Sequence, residues 1–193
     1  MSKLISKVYV LNVIDRQERA FRLTLLASQW FTSPFAFSPS AIEIAQNTEM
    51  EFGGKLISFL DLAEGLQKDP YGTIAPLTDA QLYEAVRASL EATRQYCLFY
   101  DKETGLERLY KKLQKEQWFV WAKAIRDAAS HDQHFRFDAK NFKDLMPRTW
   151  NGITIKENLH GKPLTQDMFW ANAVYQLLID IKKFVQCLPD FPN

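Results

Sequence analysis

A chain of 193 residues with 47% hydrophobic side chains can bury the core of one domain, which excludes a disordered or fibrous protein. Its formal net charge of +1 gives no overall attraction to nucleic acid, and no apolar run is long enough to predict a membrane span. Cys97 and Cys187 show no CxxC spacing, which favours a reduced, cytoplasmic protein over a disulfide-rich secreted one. We therefore expect a single soluble domain over 1–193.

Two helices are predicted in the first seventy residues. Apolar side chains near helical spacing predict the first helix over about 15–31, and Pro34 follows as a terminator. The second is predicted over about 38–68, where the apolar spacing continues through Gly53 and Gly54. We interpret the two glycines as a bend or a close-packing point inside that helix.

Two further helices are predicted in the middle of the chain. The proline-containing stretch 69–77 is predicted as a loop, and Thr78 resembles the start of a capping box for a helix to about residue 99. The strongest helical pattern covers 102–130, where leucine and aromatic residues form an apolar stripe with charges between them. Gly105, near its start, fits a bend or a cap.

A short β excursion and a last helix complete the predicted fold. Alternating apolar residues between 135 and 156, with the turn pair Asn151-Gly152, predict two short strands that form a small hairpin. A final helix is predicted from a cap near Thr165 to a stop at Pro189. The expected fold is all-α, a bundle of about five helices with one small hairpin.

The segment AIRDAASHDQHFRF, residues 124–137, concentrates side chains suited to phosphate chemistry. It contains Arg126, His131 and His134, and thus two of the three histidines of the chain. Histidine titrates near neutral pH and suits proton transfer, whereas arginine presents a fixed charged fork to phosphate oxygens. The surrounding residues 123–148 carry a net charge of +2, which predicts a modest anion-binding surface.

Within this segment, Arg126 to His131 (R-D-A-A-S-H) resembles the R-x4-6-H signature of the HEPN superfamily. These are small all-α domains common in prokaryotic toxin–antitoxin and defence systems. The resemblance covers about 100–190, and residues 1–70 match only in being helical. It implies a metal-independent endoribonuclease that needs no cofactor, acts as a homodimer with two motifs lining one cleft, and has an antitoxin as a further partner.

The resemblance also implies roles for the individual side chains. Arg126 would bind the scissile phosphate, and His131 would transfer the proton while the RNA 2′-OH attacks that phosphate. Asp127, Ser130, His134 and Arg136 are the candidate substrate-contacting residues. Active members often have Asn where this chain has Asp127, and a carboxylate there would repel the substrate, orient His131 or clamp Arg126.

Helix geometry and simpler interpretations compete with this hypothesis. Five residues at ~100° each separate Arg126 and His131 by about 140° on an ideal helix, so they share a face only where the helix unwinds near Ser130. If these residues form no functional site, Arg126 is expected to pair with Asp127 or Asp132, and His131 to interact with the helix dipole. The corresponding alternative function is a non-catalytic HEPN-like module for dimerisation or for binding nucleic acid or nucleotides.

The aromatic residues and the histidines each allow another interpretation. Trp118, Phe119 and Trp121 are expected in a core or a dimer interface rather than in a base-stacking platform. A metal site could in principle use His131-x-x-His134 with Asp127, or Glu157-x-x-His160. Three histidines and two distant cysteines are too few for the usual zinc or di-iron sets, so no metal is expected.

Overall fold

The computed structural model describes residues 5–31, 40, 43, 47, 49–52, 55–58, 64–65, 68–106, 108–130, 134–137, 146–164 and 171–191. These residues are mostly helical, so the predicted all-α class with a small hairpin is confirmed. The chain forms two compact units, one of residues 1–19 with 82–193 and one of residues 20–81.

Five α-helices and four short strands have defined ends within the described residues. The helices are α1 (Lys7–Phe31), α2 (Pro70–Thr104), α3 (Leu109–Lys115), α4 (Phe119–Ala129) and α5 (Ala171–Gln186). The strands are β1 (Glu49–Phe52), β2 (Lys55–Ser58), β3 (Arg148–Trp150) and β4 (Ile153–Ile155), and a 3₁₀ turn covers Glu157–Leu159.

The second unit contains an antiparallel hairpin where the sequence predicts a helix. Strands β1 and β2 pair with Glu49 opposite Ser58 and Phe52 opposite Lys55. The prediction of one helix over 38–68 is therefore wrong in this part. Gly53-Gly54, the pair between the strands, lies outside the described residues, but its sequence is one that two-residue hairpin turns favour.

Helix α2 begins at Pro70, so the predicted loop at 69–77 is wrong. Asp69 caps the helix, because its side-chain Oδ1 accepts the backbone N–H of Gly72 at 2.9 Å. Proline suits the first helical position, where its missing N–H has no partner to lose. The Asp-Pro pair is thus a helix start, and the helix continues through Pro76.

The single long helix predicted over 102–130 is divided into the end of α2, then α3 and α4. Gly105, with φ +67°, follows the end of α2 in the left-handed conformation, as its predicted cap requires. The second break lies at Glu116, whose extended backbone ends α3. Five consecutive buried residues, Trp118 to Ala122, follow this break. Four of them form the first turn of α4, so the start of that helix is buried on all sides.

The core of the first unit is built from all five helices, with α3 contributing Leu109 and Leu113. Its fully buried large side chains include Ile14, Leu90, Tyr96, Leu113, Trp121, Ile125 and Leu177. Trp118, Phe119 and Trp121 are all buried, which confirms that they pack rather than form an exposed stacking surface. Cys97 is also buried, and burial raises the pKa of its thiol to about 12, so it is a packed thiol and not a nucleophile.

Charged side chains join the start of α1 to α5. Lys182 lies 2.6 Å from Asp15 and 3.4 Å from Glu18, and Tyr175 donates a hydrogen bond of 2.8 Å to Glu18. The hydrogen bond to Asp15 raises the pKa of Lys182 despite its partial burial, and Glu18 adds to this effect. The pairing keeps Lys182 charged and fixes the crossing of the two helices.

The residues after α5 return to α2. Tyr96 donates a hydrogen bond of 2.6 Å to the carbonyl of Pro189. Burial, followed by the nearby Asp190 carboxylate, raises the pKa of Tyr96 to about 12, so its hydroxyl remains a donor. The ring of Phe191 lies between 5.1 and 5.5 Å from those of Tyr96, Phe99 and Tyr100.

Replacing Phe191 with alanine is expected to lower the free energy of unfolding by about 2 kcal/mol, because three aromatic contacts and their buried apolar area are lost. Urea denaturation followed by circular dichroism measures this change. Asp190→Ala, at an exposed neighbouring position, is the control and should change stability by less than about 0.5 kcal/mol. Equal stabilities for the two variants would show that the ring contacts do not stabilise the fold.

The predicted hairpin around Asn151-Gly152 is confirmed as β3 and β4. Both turn residues have positive φ, +49° and +76°, which is the conformation that tight hairpin turns of this type require. Trp150 anchors the hairpin, since its indole N–H donates a 3.2 Å hydrogen bond to Asp180 of α5. Residues 135–137, at the start of the predicted β excursion, form backbone hydrogen bonds with Gly161 and Lys162.

Candidate functional site

The last two turns of α4 carry the arginine of the predicted motif. One side of α4 is buried, with residues such as Ile125 and Ala128 in the core. Arg126 and Asp127 lie at the margin of that face, each with 22% of its side chain exposed. Their position follows from helical spacing, which turns both residues away from the core-facing stripe.

Helix α4 ends between Arg126 and the position of His131. Ala129 is its last residue, and Ser130 is the C-cap. The Ser130 backbone N–H and hydroxyl both donate to the carbonyl of Arg126, at 3.1 and 2.9 Å. The hydroxyl of Ser130 therefore has a structural partner at the helix end. The calculated separation of about 140° assumes a helix that continues to His131, whereas α4 ends at Ala129.

Two carboxylates surround the guanidinium of Arg126. Its Nε donates a 2.8 Å hydrogen bond to Oδ1 of Asp127, and Nη2 donates to the same oxygen. Glu91 of α2 approaches Nη1 from the other side, with its Oε2 at 3.8 Å. Asp127 therefore clamps Arg126, which is one of the roles considered for it, and the partial burial makes this pair stronger than a fully exposed one.

Glu91 extends the cluster along α2 and on to α3. Its Oε1 accepts hydrogen bonds from Arg94 at 3.0 Å and from Gln95 at 3.1 Å. Burial lowers the pKa of Arg94, but hydrogen bonds to Tyr110 and Glu91 and their charges raise it further, so the net shift is upward. One carboxylate thus lies between the guanidiniums of Arg94 and Arg126.

Sequence reasoning did not identify Glu91 or Arg94 as part of the site. Their Glu-x-x-Arg spacing is a signal for a pair on one helix face. No local pattern, however, predicts that Glu91 contacts Arg126, because that contact depends on how α2 packs against α4.

The remaining motif residues lie in or near the segment after α4. His131 lies outside the described residues, as do Asp132, Lys140 and Lys143. Phe135 and Phe137 are buried, whereas Arg136 between them is exposed and His134 is half-buried. This alternation is that of an extended segment, which places His134 and Arg136 on the side away from the core.

Backbone pairing fixes this extended segment against the residues after the 3₁₀ turn. The N–H of Phe135 donates to the carbonyl of Lys162 at 2.9 Å, and the N–H of Gly161 donates to Phe135 at 2.8 Å. The N–H of Phe137 donates a 3.0 Å hydrogen bond to Nδ1 of His160. One ring nitrogen of His160 therefore accepts a hydrogen bond from the backbone.

Within the described ranges, no three His, Cys, Asp or Glu side chains come together in a way that could hold a metal ion. The alternative set of His131, His134 and Asp127 includes a residue outside those ranges. Among the helices described, none is both long and apolar enough to cross a membrane. The chain matches no family model, no curated protein and no solved structure.

Proposed function

We propose that this chain is a metal-independent endoribonuclease of the HEPN type, with Arg126 and His131 as its catalytic pair. The single observation that carries the proposal is the position of Arg126, one turn before α4 ends at Ala129. Because the helix ends there, the geometry of a continuous helix no longer argues against a shared function of the two residues.

The chemistry divides between the two side chains. The guanidinium of Arg126 binds the non-bridging oxygens of the scissile phosphate and stabilises the charge that develops on them. The imidazole of His131 transfers a proton while the RNA 2′-OH attacks the phosphorus and the 5′-oxygen leaves. The substrate supplies the nucleophile, so the reaction needs neither a metal ion nor a cofactor.

The assembly and setting of the enzyme belong to the same proposal. Two copies of the chain form a homodimer in which both motifs line one RNA-binding cleft, with His134 and Arg136 contacting the substrate beside it. The enzyme acts in the cytoplasm as a toxin or an anti-phage effector, and an antitoxin controls it. The exposed position of Arg136 is consistent with a role in RNA contact.

The carboxylates at Arg126 favour a second candidate, a non-catalytic HEPN-like module for dimerisation or for binding nucleic acid or nucleotides. A guanidinium that already donates to Asp127 and faces Glu91 loses these partners when it binds phosphate. In this second function, Arg126 stabilises the end of α4 and no chemistry follows.

Cleavage of single-stranded RNA in EDTA tests the proposal. The wild-type chain should cleave, and Arg126→Ala and His131→Ala should each lower kcat/KM at least about 100-fold, because each removes a group that acts in the transition state. Arg19→Ala, an exposed arginine on α1, is the matched control and should retain activity. Cleavage that is unchanged in both motif variants would contradict the mechanism, and absence of cleavage by folded wild-type protein would favour the second candidate.

A further inference from the structure

Helix α3 and its N-cap residue present four positive side chains on one face. Residues 108–115 read RLYKKLQK, so Arg108, Lys111, Lys112 and Lys115 follow the spacing i, i+3, i+4, i+7 without an acidic residue among them. At ~100° per residue, these positions fall within an arc of about 100°. All four are exposed, and we call this set of residues the α3 basic face.

The α3 basic face is held on a rigid base. Leu109 and Leu113, on the opposite side of α3, are buried in the core. Nζ of Lys112 lies 5.8 Å from the ring centroid of Phe184 on α5, a cation–π distance that leaves its charge at the surface. The four charges are therefore displayed by an ordered helix and not by a flexible tail.

The start of α3 is connected to the candidate site through side chains. Tyr110 of α3 forms a hydrogen bond with Arg94 of α2. Arg94 shares the carboxylate of Glu91 with Arg126. A polyanion that reaches the guanidinium of Arg126 is thus close to Arg94 and to Tyr110 at the start of α3.

We propose that the α3 basic face binds the backbone phosphates of the single-stranded RNA whose scissile bond lies at Arg126, an inference that rests on the proposed function. From Arg108 to Lys115 the face is about 10 Å long at ~1.5 Å per residue. Phosphates of one strand repeat about every 3.4 Å along a stacked helix, so the face spans about three of them. The contacts are electrostatic and independent of base sequence.

The side-chain pattern of α3 is less suited to an anionic membrane surface than to an RNA backbone. Helices that lie on a membrane combine basic residues with an exposed apolar face. In α3 the apolar residues Leu109 and Leu113 are buried against the rest of the protein. The charged face alone remains for a partner, which favours a phosphate backbone over lipid.

Fluorescence anisotropy with a labelled single-stranded RNA tests the inference, in EDTA and in a His131→Ala background that prevents cleavage. The double variant Arg108→Gln/Lys115→Gln should bind at least about tenfold more weakly at low salt, and its slope of log K against log[salt] should be smaller by about 1.4 because two phosphate contacts are lost. Arg19→Gln/Lys156→Gln makes the same change in net charge at exposed positions outside α3 and should bind within about threefold of the parent.

Three outcomes would overturn the inference. They are unchanged RNA binding by the α3 variant, an equal loss in the control variant, and loss of binding to phosphatidylserine vesicles while RNA binding is kept. Failure of the proposed function is distinguishable from this. If the wild-type chain does not cleave RNA, the α3 substitutions can still weaken RNA binding. Conversely, cleavage that depends on Arg126 and His131 with normal binding by the α3 variant would reject only the α3 basic face.

Discussion

Replacing Asp101 with alanine is expected to lower the free energy of unfolding by about 3 kcal/mol, because buried backbone donors lose their acceptor. Asp101 lies in the last turns of α2 and is 8% exposed. Its carboxylate accepts three backbone N–H groups from the start of α3, those of Arg108 at 3.1 Å, Leu109 at 2.8 Å and Tyr110 at 2.9 Å. One side chain thus satisfies the donors that an α-helix leaves free at its start.

A matched pair of variants separates this contact from general effects of mutation at the end of α2. Asp101→Asn keeps the size and one acceptor oxygen, so it should lose about half as much stability as Asp101→Ala. Glu103→Ala, an exposed position two residues later, should change stability by less than about 0.5 kcal/mol. Urea denaturation measures all three, and an Asp101→Ala variant within about 1 kcal/mol of the parent would show that the three hydrogen bonds contribute little.

The features that sequence reasoning predicts correctly depend on local backbone requirements. Asn151 and Gly152 both have positive φ, and few residue pairs adopt that conformation readily. Gly105 ends α2 for the same reason. The helical class is also predicted from local sequence, because the α-helix is the regular structure that places apolar residues with a period of 3.6 on one face.

The errors occur where one local signal has two meanings. Asp69-Pro70 indicates a turn when it is considered alone, but it also provides an N-cap and a first helical residue, and the apolar positions after Leu82 favour the helix. Gly53-Gly54 alone is compatible with a bend or a close-packing point in a helix, but the residues on either side of it pair as antiparallel strands. Tertiary packing decides between such alternatives.

The carboxylates at the candidate site could be predicted only in part. Asp127 follows Arg126 directly, so its pairing with the guanidinium was among the expected arrangements. Glu91 is distant in the sequence, and its contact with Arg126 arises from the packing of α2 beside α4. The balance of charges at Arg126 therefore depends on the fold as well as on the motif.

The Asp127→Asn variant is expected to raise kcat/KM for RNA cleavage about tenfold, which corresponds to about 1.4 kcal/mol of transition-state stabilisation. Asparagine retains an acceptor oxygen for the Arg126 Nε hydrogen bond of 2.8 Å. It removes a negative charge that would repel the incoming phosphate and that neutralises the guanidinium. Initial rates in EDTA at low salt measure the change, since screening weakens the repulsion at high salt.

Two further variants serve as a control and as a comparison for Asp127→Asn. Asp190→Asn makes the same chemical change at an exposed position after α5 and should leave cleavage unchanged. Glu91→Gln removes the more distant carboxylate, at 3.8 Å from Arg126, and should raise kcat/KM by a smaller factor. A loss of cleavage in Asp127→Asn would contradict simple charge relief and make Asp127 a positioning residue for Arg126. If RNA binding rises in Asp127→Asn while no cleavage is detected in any variant, the guanidinium binds phosphate without catalysis, which is the behaviour of the non-catalytic module.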